Sequence, residues 1–153
     1  MTPLVILNMP PLRLAVIRHV GSYAEVGPAF DRILAWATGR GMAHPTAVGV
    51  YYDNPAEVPV AALRADAGVV VPAEMTGVDE VGIVTLAAGR YARMSHRGPY
   101  TQLGQAYEWF YRDWLPASGE SLACGPAYEI YRNSPREVPQ QELLTDIHMP
   151  LAG

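Results

Sequence analysis

The chain has 153 residues, half of them apolar and 17% charged, which suits one domain with its own core and is too apolar for a disordered segment. Its formal charge is −4, it has no lysine, and its 11 arginines are scattered singly, so it lacks the clustered basic footprint of a nucleic-acid surface. One cysteine, Cys124, excludes an internal disulfide framework and a cysteine zinc site.

The opening stretch, "MTPLVILNMPPLRLAVIRHVG", is apolar, broken by prolines, and lacks the basic start of a signal peptide. No apolar run approaches the ~20 residues that a membrane helix needs. A cytoplasmic protein without membrane contact is expected. Residues 12–20 alternate, with Leu14, Val16, Arg18 and Val20 on one face and Ala15, Ile17 and His19 on the other, which predicts a strand. Gly21 and Ser22 end it. Ser22 with Glu25 three residues on reads as a capping box for a helix from about Tyr23 to Thr38. Val26, Phe30, Ile33 and Ala37 form its apolar stripe, and Gly39 and Gly41 stop it. A strand over 46–53, a Pro-rich loop over 53–60 and a strand over 64–72 follow.

The second half reads in the same order. A strand over 82–86 leads into a strand over 89–97 and a helix over 100–114. Leu103, Tyr107, Phe110 and Trp114 share one stripe of that helix and are expected in the core, and Pro116 is expected to end it. A strand over 126–132, a Pro-rich loop and a strand over 142–149 complete the chain.

This order reflects an internal repeat. "RLAVIRHVGSYAEVGPAF" (13–30) lies over "RYARMSHRGPYTQLGQAY" (90–107) at an offset of 77. "YYDNPAEVP" (51–59) returns as "IYRNSPREVP" (130–139) with one extra residue, and Leu63 and Asp66 match Leu143 and Asp146. The expected fold is α+β. It is one domain over 1–153, with repeats at about 10–75 and 80–151. Each repeat is a β-α-β-β unit, and the two are related by a pseudo-twofold axis. Roughly eight mainly antiparallel strands and two helices result.

One residue stands out chemically. "PAYEIYRN" (126–133) reads as a strand, yet Glu129 sits in its middle with no basic residue within two positions. Alternation puts Glu129 on a face with Tyr131, and Tyr128 and Ile130 on the other. The repeat, read with its extra residue, makes Val50 the twin of Glu129. Two readings stay open. Glu129 is an edge or rim residue that is simply wet or pairs with an arginine, or it is an acid inside an aromatic pocket, where it attracts a cation or serves as a general acid/base. Nine tyrosines suit a lined cavity, each offering a ring and a hydroxyl. Trp109 and Tyr111 fall off the core stripe of the second helix and are free to meet a ligand. His19 and His96 precede equivalent glycines without ligand-type neighbours, so turn chemistry is expected there and no metal. No phosphate loop, G-x-S-x-G or H-E-x-x-H motif occurs, and no cofactor is expected.

"RHVGSYAEVGPAFDRILAWA", "GVYYDNP", "GRYARMSHRGPYTQLGQAYEWFYRDWLPASG", "PAYEIYRNSPREVP" and "LLTDIHMPL", in this order, resemble the GyrI-like small-molecule-binding domain. That domain is also the effector-binding domain of AraC-type and MerR-type bacterial regulators. The resemblance covers about residues 10 to 151. It implies a cleft between the two halves, lined by aromatic residues, that takes amphipathic, cationic or planar compounds. The family glutamate in a motif of the "PAYEIY" kind corresponds to Glu129. No DNA-binding module is expected in this chain, so the resemblance is to stand-alone members.

The expected function is drug or toxin binding, for sensing or sequestration. Glu129 would supply charge, and Tyr52, Tyr91, Tyr131, Trp109 and Trp114 would supply ring faces. An alternative implied by the resemblance is hydrolysis of strained, cyclopropane-bearing toxins with the same glutamate as the catalytic group. A second alternative is modulation of gyrase. Monomer and homodimer both remain open.

Overall fold

The computed structural model describes residues 3–153. Eight strands form a single sheet: β1 Leu4–Met9, β2 Leu12–Val20, β3 Ala47–Tyr51, β4 Arg64–Val70, β5 Gly82–Leu86, β6 Gly89–Arg97, β7 Ala127–Tyr131 and β8 Leu144–Pro150. Their order across the sheet is β1-β6-β8-β7-β3-β4-β2-β5, and every neighbouring pair is antiparallel. The sheet is curled into a half-barrel. Helix α1 (Gly27–Gly39) and helix α2 (Leu103–Trp109) pack on one face. The fold is α+β, with the two halves meeting at β3 and β7.

The cores follow from alternation. Ala15 and Ile17 of β2 and Ala67 and Val69 of β4 face α1, where they bury Ile33 and Ala37. Ala92 and Met94 of β6 and Ile147 and Met149 of β8 do the same for Phe110 and Ala106. Each fully buried Ile or Met contributes about 1.5–3 kcal/mol. Residues one position over, including Leu14, Val48, Val50, Tyr91 and Tyr128, fill a third cluster on the face away from the helices.

The apolar start of the chain is β1, which alternation in the sequence did not single out. It belongs to the repeat, because β1 and β2 pair with β6 and β5 in matching registers. The lead-in strands are exchanged: β1 of the first half pairs with β6 of the second, and β5 of the second half pairs with β2 of the first. Gly21 and Gly98 end the twin strands β2 and β6 at φ 126° and 136°, conformations that glycine adopts without steric cost. Their N–H groups donate to the twin carbonyls of Leu63 and Leu143, both at 2.8 Å.

Two details of the helices differ from the expectation. Ser22 Oγ accepts from Ala24 N–H and caps a short 3-10 turn, Tyr23–Glu25, so α1 itself starts at Gly27. Pro116 does not end the second helix. A π turn, Phe110–Trp114, follows α2, with Leu115 N–H reaching back to the Phe110 carbonyl, and α3 (Leu115–Ser118) continues the rod. The N–H that Pro116 lacks falls in the first turn after this change of pitch, where no partner is required. The helical rod stops at Gly119, which is left-handed at φ 78°.

Candidate functional site

A wide cleft of about 1980 Å³ runs between α1 and α2 over the ends of β3 and β7. Its floor is the junction of the two halves. There, Val48 pairs with Ile130, Gly49 with Glu129 and Val50 with Tyr128. The same pairings hold after exchanging the halves at an offset of 80, and Gly49 and Glu129 then exchange with each other. Matching bonds confirm this offset. Arg64 N–H donates to the Asp53 carboxylate as Leu144 N–H donates to Asn133, and Tyr52 N–H donates to Arg64 as Arg132 N–H donates to Leu144.

The pseudo-twofold axis therefore passes between Glu129 and its twin, Gly49. The assignment of Val50 as the twin is off by one residue. No extra residue exists in the second loop, and a slip of one position moves a strand residue to the opposite face. Val50 corresponds instead to Ile130, and both lie on the far face.

Glu129 is 5% exposed. Its Oε1 accepts from the Tyr131 hydroxyl at 2.7 Å and its Oε2 from the Tyr107 hydroxyl at 2.5 Å. The Tyr131 hydroxyl in turn bonds to that of Tyr51 at 2.6 Å. Among the described residues, no arginine or histidine forms an ion pair with Glu129. Burial pushes its carboxyl above its ordinary value, and the two tyrosine donors act in the opposite direction. Burial first, and then the nearby carboxylate, hold the hydroxyls of Tyr107 and Tyr131 well above the usual tyrosine range. They therefore remain protonated donors. At 5% exposure and without an arginine partner among the described residues, Glu129 is neither a wet rim residue nor half of an ion pair.

Gly49 makes the arrangement possible. A Cβ there would lie 2.7 Å from both the Tyr51 and the Tyr131 hydroxyl oxygens. The Tyr51–Tyr131 bond crosses directly over this bare backbone. Aromatic rings stand on both sides of it. Phe30 and Tyr100 each meet Tyr131 edge-on at 5.5 Å, and Tyr23 meets Tyr51 edge-on at 4.9 Å.

The other candidate ring residues are distributed differently. Tyr131 is at the centre. Tyr52 borders the cleft, but its hydroxyl donates to the buried Asp66 at 2.5 Å, and the guanidinium groups of Arg18 and Arg64 lie over its ring at 5.0 and 5.6 Å. Tyr91 stands on the far face against Tyr128, with its hydroxyl donating to the Ala87 carbonyl. Trp109 and Trp114 lie off the cleft beside Asp113, where Trp114 stacks on Phe110 at 5.2 Å. Strand and helix periodicity assign faces but not which half supplies the opposite wall, so neither the residue type of Tyr91 and Trp114 nor the off-stripe position of Trp109 places them in the cleft. Tyr107, expected in the core, Tyr51, Phe30, Tyr23 and Tyr100 were missed. The repeat could have found them, because it pairs Tyr23 with Tyr100, Phe30 with Tyr107 and Tyr51 with Tyr131. His19 is held by a turn, with its Nε2 2.8 Å from the Ser22 carbonyl oxygen.

Tyr52→Phe separates structure from binding. Asp66 is 1% exposed and keeps only Arg18 as a partner in this variant. The expected loss is about 1 kcal/mol of stability in a denaturant titration, with ligand affinity unchanged. A large loss of affinity at constant stability would return Tyr52 to the binding surface.

The comparisons agree with this architecture. The family described as "GyrI-like small molecule binding domain" matches residues 2–152. A protein of Escherichia coli K12 named "Probable transcriptional regulator YgiV" is 30% identical over 154 residues, covering 96% of this chain and 94% of its own. An Edwardsiella piscicida protein named "DNA gyrase inhibitor" is 33% identical over 145 residues, covering 90% of each. Among solved structures, the EcmrR C-terminal domain superposes with a TM-score of 0.78 at 16% identity, covering 99% of this chain and 98% of its own. SAV2435 bound to tetraphenylphosphonium superposes with a TM-score of 0.70 at 13% identity, covering 99% and 94%. At these identities the two structures speak for the fold alone. Among the described residues no helix is long and apolar enough to cross a membrane.

Proposed function

The chain belongs to the GyrI-like small-molecule-binding family, and from that premise we propose that it binds amphipathic aromatic cations in the cleft, with Glu129 as the counter-charge. The observation that carries this reading is a buried carboxylate, free of any ion pair among the described residues, framed by tyrosine rings and open to a cleft. A cation over Glu129 would supply the missing opposite charge. Each ring face presented to it adds about 0.5–2 kcal/mol. Tyr131, Tyr107 and Tyr51 keep the carboxylate oriented without neutralising it, and Phe30 and Tyr100 extend the apolar walls.

Calorimetric titration with tetraphenylphosphonium tests the reading, and pH sharpens it. A cation prefers the ionised carboxyl, which burial raises above its ordinary value in the free protein. Affinity should therefore rise by up to about tenfold per pH unit until Glu129 is fully ionised, and then level off. The stability of the free protein runs the other way. An acid whose value is raised by folding contributes stability that is complete below its unfolded value and lost as pH rises through the folded one. No saturable binding, or an affinity flat from pH 4.5 to 8, overturns the proposal.

A second reading, hydrolysis of a strained electrophile, is favoured by the same carboxyl, because burial raises it above its ordinary value and so favours its proton-donating form. A tyrosine hydroxyl would then stabilise the developing charge.

A further inference from the structure

The floor of the cleft carries one buried charge, Glu129, between two pseudo-equivalent aromatic halves, whereas other charged lining residues, such as Asp31, Glu57, Glu108 and Arg136, are exposed. Phe30, Tyr131 and Tyr100 form one aromatic trio, linked edge-to-face at 5.5 Å. Their twins are Tyr107, Tyr51 and Tyr23, with Tyr23 and Tyr51 linked at 4.9 Å. All six line the same cleft. The axis relating the trios passes through the Gly49–Glu129 pair. A charge placed on that axis lies between the trios rather than at the end of either.

We infer that the preferred ligand carries its cationic centre in the middle, with an aryl arm on either side, rather than at one end of a single long arm. This rests on the aromatic-cation reading above. A central cation sits over Glu129 while each arm enters one trio. An end-charged ligand of equal size fills one trio and leaves the other in water, forfeiting the burial of a second arm. Gly49 contributes by being bare. A second carboxylate here would favour a dication, and any side chain would displace the Tyr51–Tyr131 hydroxyl pair that joins the trios across the axis.

Two constitutional isomers test this without changing charge or composition. Dibenzyldimethylammonium has two benzyl arms on a central nitrogen. (4-Phenylbenzyl)trimethylammonium has both rings on one arm. Calorimetry on the intact protein should show the two-armed isomer binding at least tenfold more tightly, and Glu129→Gln should weaken both. Equal affinities, or a preference for the one-armed isomer, overturn the inference. If Glu129→Gln still weakens both in that case, the aromatic-cation reading survives. If neither isomer is weakened by Glu129→Gln, or neither binds, both fall.

Discussion

Glu129→Gln is expected to weaken tetraphenylphosphonium binding by roughly thirtyfold, about 2 kcal/mol, at pH 8. Glutamine keeps the shape of the side chain and can still accept from one tyrosine hydroxyl. It removes only the charge. The same substitution relieves the cost of holding an ionised group that is 5% exposed. The free variant should therefore melt at or above the wild-type temperature at pH 8, and its stability should lose the pH dependence that Glu129 imposes. This combination, weaker binding in a protein at least as stable, cannot come from misfolding. Wild-type affinity in the variant would remove the electrostatic role of Glu129. The hydrolytic reading makes a different demand on the same variant: turnover of a cyclopropane-bearing electrophile by the wild type, abolished in Glu129→Gln while affinity for that compound persists. No turnover by the wild type sets that reading aside.

The second large effect is expected from Gly49→Ala. A methyl group here must displace two hydroxyl oxygens from 2.7 Å, and both belong to side chains that are hydrogen-bonded to each other. Overpacking of this kind costs about 2 kcal/mol, which corresponds to a fall of roughly 4–8 °C in Tm for a chain of this length. The binding phenotype distinguishes it from an ordinary core defect. With Tyr131 pushed aside, Glu129 loses one of its two donors, its ionised form is less favoured, and the pH at which cation affinity levels off moves upward. Thermal melts together with the pH series of tetraphenylphosphonium titrations read both effects. An unchanged Tm with an unchanged pH profile would mean that the hydroxyl pair is not confined over Gly49.

Much of the fold is legible without coordinates. Alternation places β2, β6 and the partners of β3 and β7 to within a residue or two, because a strand with one face on a core must alternate. The repeat signals a two-half architecture. Glu129 stands out because an acid inside an apolar strand demands an explanation. The lead-in strand β1 is harder to see, since proline-flanked apolar residues on an edge carry no turn signal of their own, and its partner comes from the other half. The π turn is invisible for a related reason: Pro116 is a strong local stop signal, and only packing around Phe110 and Trp114 carries the helix past it.

The sequence by itself determined the α+β class and the duplication, and it singled out one acid. The tertiary structure alone decided what surrounds that acid. Register across β3 and β7 is set by backbone pairing between segments about 80 residues apart, and a slip of one residue reverses every face. That pairing puts Gly49 rather than Val50 opposite Glu129, on the axis between the halves. It also brings Tyr107 from one helix and Tyr51 from the other half into the network that holds the carboxylate. Local periodicity reports which side of an element is apolar. It carries no information about which distant element will supply the opposite wall, and the site is made of those opposite walls.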